Sequence, residues 1–238
     1  MNSQVDISNK VQPDSDLSKI SVFLFLGIVS APIRIDRRRA VRETWWKKCQ
    51  ENEEVACFFV TDAQDNKGLP LLNDVLAPLH QENSKHNDLI FAESPSGRNL
   101  GRRILWLFQW VNERYDFKYI LKLDDDYFIC FDKLMVELKY YRPRKFLVWG
   151  ELHCRRRGQA VFDEAFLIVT PDVVQYIVDR KNTSLMCHPW GGQSLGYWLN
   201  DFKQVIPFSD NKSDDKTYRG ILSLRELISF LPDVTLVL

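Results

Sequence analysis

The chain has 238 residues, of which 45% are hydrophobic and 13% aromatic; that composition packs one sizeable core or two small ones and excludes extended disorder. Thirty-two Lys and Arg balance thirty-two Asp and Glu, so no global field holds the chain on nucleic acid or an anionic membrane, and any anion site must be local. Five cysteines (Cys49, Cys57, Cys130, Cys154 and Cys187) lack metal-ligand spacing, which argues against a zinc site, and their odd number leaves at least one thiol free.

Residues 1–20 are polar and poorly periodic, as in a disordered leader or the remnant of an upstream segment. The run SVFLFLGIV, Ser21 to Val29, is roughly half the ~20 residues a membrane helix requires and has no basic flank before it, so it reads as a buried strand; no signal peptide or anchor is recognisable. In IDRRRAVRETWW, Ile35 to Trp46, helical spacing puts Arg38 and Arg42 one turn apart beside Val41 and Trp45, with Cys49 extending the stripe. Guanidinium forks held that way suit a phosphate and an aromatic ring could cover a nucleobase, whereas Arg37 and Arg39 read as solvated and the tryptophans as core.

Apolar runs follow at 55–60, 89–91, 119–123, 146–149 and 165–169, several without alternation, as in parallel strands covered on both faces. Between them, 98–114 carries a stripe of Leu100, Ile104, Leu107, Phe108 and Val111, with Arg98, Arg102 and Arg103 as a charge run that reads as a solvated face, contact with a ligand being the alternative. A later helix is marked by Leu134, Leu138 and Tyr141, and Thr170-Pro171 predicts an N-cap and first helical residue for 171–180. Strand and helix alternate from residue 21 to about 180, which predicts one α/β domain with a mostly parallel central sheet flanked by helices.

YILKLDDDYFICF, Tyr119 to Phe131, ends a strand in three aspartates, and ligands of open α/β sheets collect outside such strand ends. Residues i and i+2 point the same way, so Asp124 and Asp126 converge while Asp125 faces elsewhere. Two hard oxygen ligands suit Mn²⁺ or Mg²⁺, which would relieve the crowding of like charges; an exposed acidic turn is the competing reading. Asn182-Thr183-Ser184 and Asn211-Lys212-Ser213 match glycosylation acceptors and fit a secretory-pathway protein, though such triplets also arise by chance.

The order SAP (Ser30 to Pro32), RRRAVRETW (Arg37 to Trp45), RNLGRR (Arg98 to Arg103), YILKLDDDYF (Tyr119 to Phe128), WG (Trp149-Gly150), FLIVTPDVV (Phe166 to Val174) and SLGYWL (Ser194 to Leu199) resembles the β-1,3-galactosyltransferase superfamily, glycosyltransferase family 31, which includes β-1,3-N-acetylglucosaminyltransferases and Fringe. SLGYWL with TYRG (Thr217 to Gly220) is most similar to the proteoglycan-linker galactosyltransferase II branch. The resemblance implies a GT-A-like, Rossmann-like fold over 21–222, followed by a tail at 223–238. It also implies inverting, metal-dependent transfer of galactose or a related hexose from a UDP-sugar to a sugar hydroxyl, in β-1,3 linkage, on a glycan, glycoprotein or proteoglycan. Such proteins work on the lumenal side of the Golgi membrane, here through an anchor this chain does not display. Carried onto these residues, Asp126 and Asp124 hold the metal, with Asp124 and Asp125 also reaching the donor, and Ser30, Arg38 and Arg42 line the donor pocket.

Three departures accompany the likeness. The family's base, the aspartate of E-D-V before x-x-G, falls on Gly191, Gly192 and Gln193, which carry no carboxylate. The segment between Trp149 and Phe166 is shorter, and the family's later metal-ligand histidine has no counterpart beyond Asp210, Asp214 or Asp215 as stand-ins. Either Asp163 or Glu164, just before the run 165–169, takes the acceptor proton, or the chain binds UDP-sugar or glycan without efficient turnover. A phosphohydrolase using the aspartates as metal site or nucleophile is a third reading.

Overall fold

The computed structural model describes residues 18–154, 160–183, 185–208 and 221–223. A first strand, β1 (Ile20–Val29), leads into α1 (Ile35–Glu43) and a short α2 (Trp46–Gln50); β2 (Val55–Asp62), α3 (Asn73–His86), β3 (Leu89–Ala92), α4 (Leu100–Arg114) and β4 (Tyr115–Asp124) follow. Then come β5 (Tyr127–Ile129), α5 (Phe131–Tyr140), β6 (Leu147–Cys154), β7 (Ala160–Val169), α6 (Pro171–Val178), α7 (Gly191–Leu199), β8 (Ile206–Phe208) and β9 (Ile221–Ser223). The main sheet has seven strands in the order β3-β2-β1-β4-β7-β6-β8, and β5 pairs with β9 in a separate ribbon.

The unalternating apolar runs have the cause the sequence suggests. Leu24, Leu26 and Ile28 of β1 face a core completed by Val41, Trp46, Leu79 and Leu134 from α1, α2, α3 and α5. Phe25 faces the other way, into a core with Ile104, Val173 and Leu195 from α4, α6 and α7. Both faces are covered, so both parities of the strand must be apolar. Trp45 and Trp46 are buried, and Trp46 stacks on Phe59 at 4.5 Å, which makes them core.

Chain direction places the site. β1 is parallel to both β2 and β4, so the strand order reverses at β1 and a crevice opens at the carboxyl ends of β1 and β4. Val29 lies opposite Asp124 there. β7 is the exception: it runs antiparallel to β4 and β6, so its first residues, not its last, arrive at that crevice.

Four details depart from expectation. β4 begins at Tyr115, because its first turn of chain alternates buried and exposed residues and so lacks a continuous apolar run. The α1–α2 stripe is broken at Thr44, whose hydroxyl donates to the carbonyl of Ala40 and ends the helix. Tyr141 is exposed beyond α5. Thr170 precedes α6 with Pro171 at the first turn, but its hydroxyl accepts the Leu147 N–H (3.0 Å) instead of capping.

Cys49 and Cys57 form a disulfide joining α2 to β2, while Cys130 and Cys187 are free thiols. Among the described residues no helix is long and apolar enough to cross a membrane. The leader through residue 17, Asp210, Asp214 and Asp215, Asn211, Thr217 to Gly220 and the tail from 224 lie outside the described residues.

Candidate active site at the carboxyl ends of β1 and β4

The three aspartates divide as an i, i+2 pattern requires. Asp125 is buried and turned inward: Ser30 Oγ donates to its Oδ2 (2.7 Å) and Arg37 Nη1 to its Oδ1 (2.7 Å). Asp124 and Asp126 stay 38% and 43% exposed at the crevice. Lys122 Nζ, itself buried, donates to Asp124 Oδ1 (2.5 Å) and to the carbonyl of Glu164; Arg37 Nη1 lies 3.4 Å from Asp126 Oδ2. Among the described residues, three carboxylates thus face two cations, and the corner retains net negative charge. Burial raises the Asp124 pKa and Asp126 and Asp125 add to the rise, against Lys122, which lowers it. Two half-exposed hard oxygen donors beside an excess negative charge fit Mg²⁺ or Mn²⁺, and Asp124 and Asp126 are the residues that would hold it.

The arginines are distributed differently from expectation. Arg38 is fully buried with all five N–H donors engaged by protein: Glu82 takes two (2.9 and 2.7 Å), and Ser30 Oγ (3.1 Å) and the carbonyls of Ala31 (2.8 Å) and Pro32 (3.2 Å) take the rest. Arg42 clamps Asp88 through two bonds of 2.8 Å, reaches Glu82 at 2.7 Å and lies over the Phe59 ring. Neither guanidinium faces an open pocket; α3 supplies Glu82 and fills their side of α1. Arg38 shapes the β1–α1 loop and holds Ser30 against Asp125, and Arg42 shares Glu82 with it. Arg37, expected to be solvated, sits about 100° around the same helix and meets the acidic corner. Arg39 is exposed, as expected.

A cavity of about 190 Å³ opens beside Asp124, lined by Val29, Arg103, Ile104, Lys122, Glu164 and Trp190 among others. Arg103, expected on a solvated face, is buried against Asp62 (2.6 Å), and its Nε has no hydrogen-bond partner among the described residues. Burial pushes the Asp62 carboxyl up and Arg103 pulls it down, leaving it raised. Trp190, half-exposed, stands at the mouth just before α7. The Glu164 carboxylate accepts the Gly192 N–H at 2.7 Å. Asp163 turns instead to its own strand, accepting the Ala165 N–H (2.7 Å), and groups with Glu151 and His153, the ligand atoms of all three lying within 4.8 Å of one another. Burial raises the Tyr127 hydroxyl above its ordinary value, and Asp163, Asp124, Asp126 and Glu151 raise it further, so that cluster and the acidic corner share one neighbour. His188 shapes the turn before α7: its Nδ1 accepts the Trp190 N–H and its own N–H bonds Ser194 Oγ.

Gly191 and Gly192 are glycines for a packing reason. A Cβ on Gly192 would stand 1.5 Å from the Phe162 carbonyl oxygen, and one on Gly191 2.4 Å from Ile104 Cδ1. Gly192→Ala is expected to lower stability by about 1–3 kcal/mol, the cost of overpacking, read as a fall in denaturation midpoint; an unshifted midpoint refutes the packing account.

Sequence reasoning missed Lys122, Arg37 and Trp190. The lysine alone carried a signal: one cation inside an apolar strand, two residues before an aspartate, shares that aspartate's face.

The galactosyltransferase family model matches residues 36–165, a span holding Arg37, Arg38, Arg42, the three aspartates and Glu164. Mouse "Beta-1,3-galactosyltransferase 6" is 33% identical over 145 residues, 58% of this chain and 43% of its own length. The fission yeast Schizosaccharomyces pombe protein "Beta-1,3-galactosyltransferase pvg3" is 24% identical over 232 residues, 73% of this chain and 59% of its own length. The chain therefore spans about half the length of these relatives. Among solved structures, a glycosyltransferase involved in glycosylating the major capsid of PBCV-1 aligns with a TM-score of 0.41 at 10% identity, covering 79% of this chain and 82% of that one. With the family model spanning more than half of the residues, from the arginine helix through the acidic corner to Glu164, the chain belongs to the galactosyltransferase family of β-1,3-glycosyltransferases.

Proposed function

We propose that the protein is a metal-dependent inverting hexosyltransferase, moving galactose or a related hexose from a UDP-sugar onto a sugar hydroxyl in β-1,3 linkage on a glycan, glycoprotein or proteoglycan. The observation that carries the reading is the pair Asp124 and Asp126, half-exposed at the switch point of the sheet while Asp125 is turned inward onto Ser30 and Arg37. When bound there, a divalent cation supplies Lewis-acid stabilisation of a departing diphosphate. The chain's own residues do the rest. Ser30 and Arg37 anchor Asp125 and so fix the turn; Arg38 and Glu82 hold the loop that carries Ser30; Lys122 orients Asp124; the apolar walls of the adjoining cavity exclude water.

A disulfide between Cys49 and Cys57 and an exposed Asn182 support an oxidising, glycosylating compartment, and the lumenal side of the Golgi membrane is the proposed location. The test is calorimetric titration of UDP. With Mn²⁺ present, affinity should exceed that in EDTA by at least about tenfold, or ~1.4 kcal/mol, and UDP-galactose with a β-galactoside or xyloside should release UDP in an acceptor-dependent manner. Equal affinity with and without metal sinks the reading. A second reading, binding of donor without turnover, rests on the bare backbone of Gly191 and Gly192 at the head of α7; UDP binding with no release would favour it.

A further inference from the structure

We propose that Glu164 is the group that takes the proton from the attacking hydroxyl, brought to the head of α7 by the reversed direction of β7. This inference rests on the transferase reading above. Two carboxylates line the cavity beside the acidic corner, those of Asp124 and Glu164. Asp124 is bound by Lys122 and belongs to the pair suited to a cation. Glu164 is held by one oxygen only: Oε2 accepts the Gly192 N–H, and Oε1 has no partner among the described residues. One anchored and one open oxygen is the arrangement a general base needs, since its position is fixed while a lone pair remains for the substrate.

Backbone geometry shows why the carboxylate comes from β7. The space over the first turn of α7 is filled by the Phe162 carbonyl and the Glu164 carboxylate at Gly192 and by Ile104 at Gly191, so neither glycine has room for a side chain of its own. A strand parallel to β4 would present its last residues at the crevice. The antiparallel β7 presents its first: its ladder with β4 ends at Leu123↔Phe166, and where the register of β7 against β6 shifts between Gly150 and Leu152 the strand's alternation breaks, so that Glu164 lines the cavity beside Asp124. The buried Lys122 ties the two by donating both to Asp124 Oδ1 and to the Glu164 carbonyl. Trp190, at the mouth of the same cavity and half-exposed, offers a flat apolar face to a sugar ring.

In the step this serves, the acceptor oxygen bonds to the anomeric carbon while the bond from that carbon to the diphosphate oxygen breaks, its electron pair leaving on UDP. The hydroxyl proton passes to Glu164, which later releases it to solvent. Water can replace the sugar as acceptor, so slow hydrolysis of UDP-galactose reports on the same base without a known acceptor.

The experiment measures Mn²⁺-dependent UDP release from UDP-galactose, with water and with a β-galactoside as acceptor, together with UDP affinity, for the wild type, Glu164→Gln and Glu164→Asp. Glutamine keeps the shape and the bond from Gly192. It is expected to lower kcat by about 10²–10⁴-fold, the range for losing a general base, while UDP affinity stays within threefold; aspartate should recover part of the rate. A Glu164→Gln variant retaining more than a tenth of the wild-type rate overturns the assignment. So does a wild type that binds UDP but releases none, or a loss of rate that follows Asp163→Asn instead. A wild type that fails to bind UDP at all overturns the transferase reading itself.

Discussion

Asp126→Ala should weaken Mn²⁺-supported UDP binding by at least about 100-fold, or ~2.7 kcal/mol, with little change in thermal stability. The carboxylate is 43% exposed, and its contact among the described residues is Arg37 at 3.4 Å, an ion pair worth at most ~1 kcal/mol at such exposure. The fold loses almost nothing when it goes, whereas the pair of hard donors loses half of its members. Asp125→Ala is the contrasting variant. Its carboxylate is buried and accepts from both Ser30 and Arg37, so its removal should lower the denaturation midpoint as well as the affinity. Isothermal titration beside a melting curve separates the two, and unchanged metal-dependent affinity in Asp126→Ala would mean that the acidic corner holds no cation.

Glu82→Ala should cost about 3–5 kcal/mol, because it strips a buried pair of one partner and leaves the fully buried Arg38 with two unsatisfied donors. At roughly 2–4 °C per kcal/mol for a chain of this size the midpoint falls by about 10 °C. Burial alone would raise the Glu82 carboxyl; Arg38 and Arg42 more than reverse that and hold it below its ordinary value. With the folded value depressed, the stabilisation is complete above the ordinary glutamate range and is lost as pH falls through the folded value. The gap between wild type and variant should therefore narrow on acidification, and a constant gap would contradict the pairing. UDP affinity should fall as well, since Arg38 carries the bond to Ser30 and Ser30 the bond to Asp125.

What could be read from the sequence follows from what acts locally. β1, β4 and α4 were legible because burial on both faces, or on one helical stripe, leaves a period in the residues themselves. The acidic corner was legible because a strand end in an open sheet is a known place for ligands. The division of labour among Arg37, Arg38 and Arg42 was not, because it depends on α3, which places Glu82 44 residues from Arg38 in sequence; charge alone does not say which arginine meets which acid. The expectation that Asp163 or Glu164 takes the acceptor proton left the two unseparated in sequence, and the structure sets only Glu164 on the cavity wall. That choice turns on which side of β7 faces the cavity and on the closeness of the Phe162 carbonyl to α7. The identity of the glycines marked the gap, and only the packing explains it.

The ribbon of β5 and β9 sets a temporal order on assembly. Phe128, two residues beyond the last aspartate, pairs with Leu222 across 94 positions of chain. At a synthesis rate of about 5–20 residues per second, on the order of ten seconds separate the emergence of the two partners. During that interval β5 hangs without its companion strand, and the three aspartates are braced on one side only, by the pairing of β4 with β1. A nascent chain is thus built with its acidic corner unfinished until late, and lesions near residue 222, far from Asp124 to Asp126 in sequence, are expected to weaken the proposed metal-dependent UDP binding.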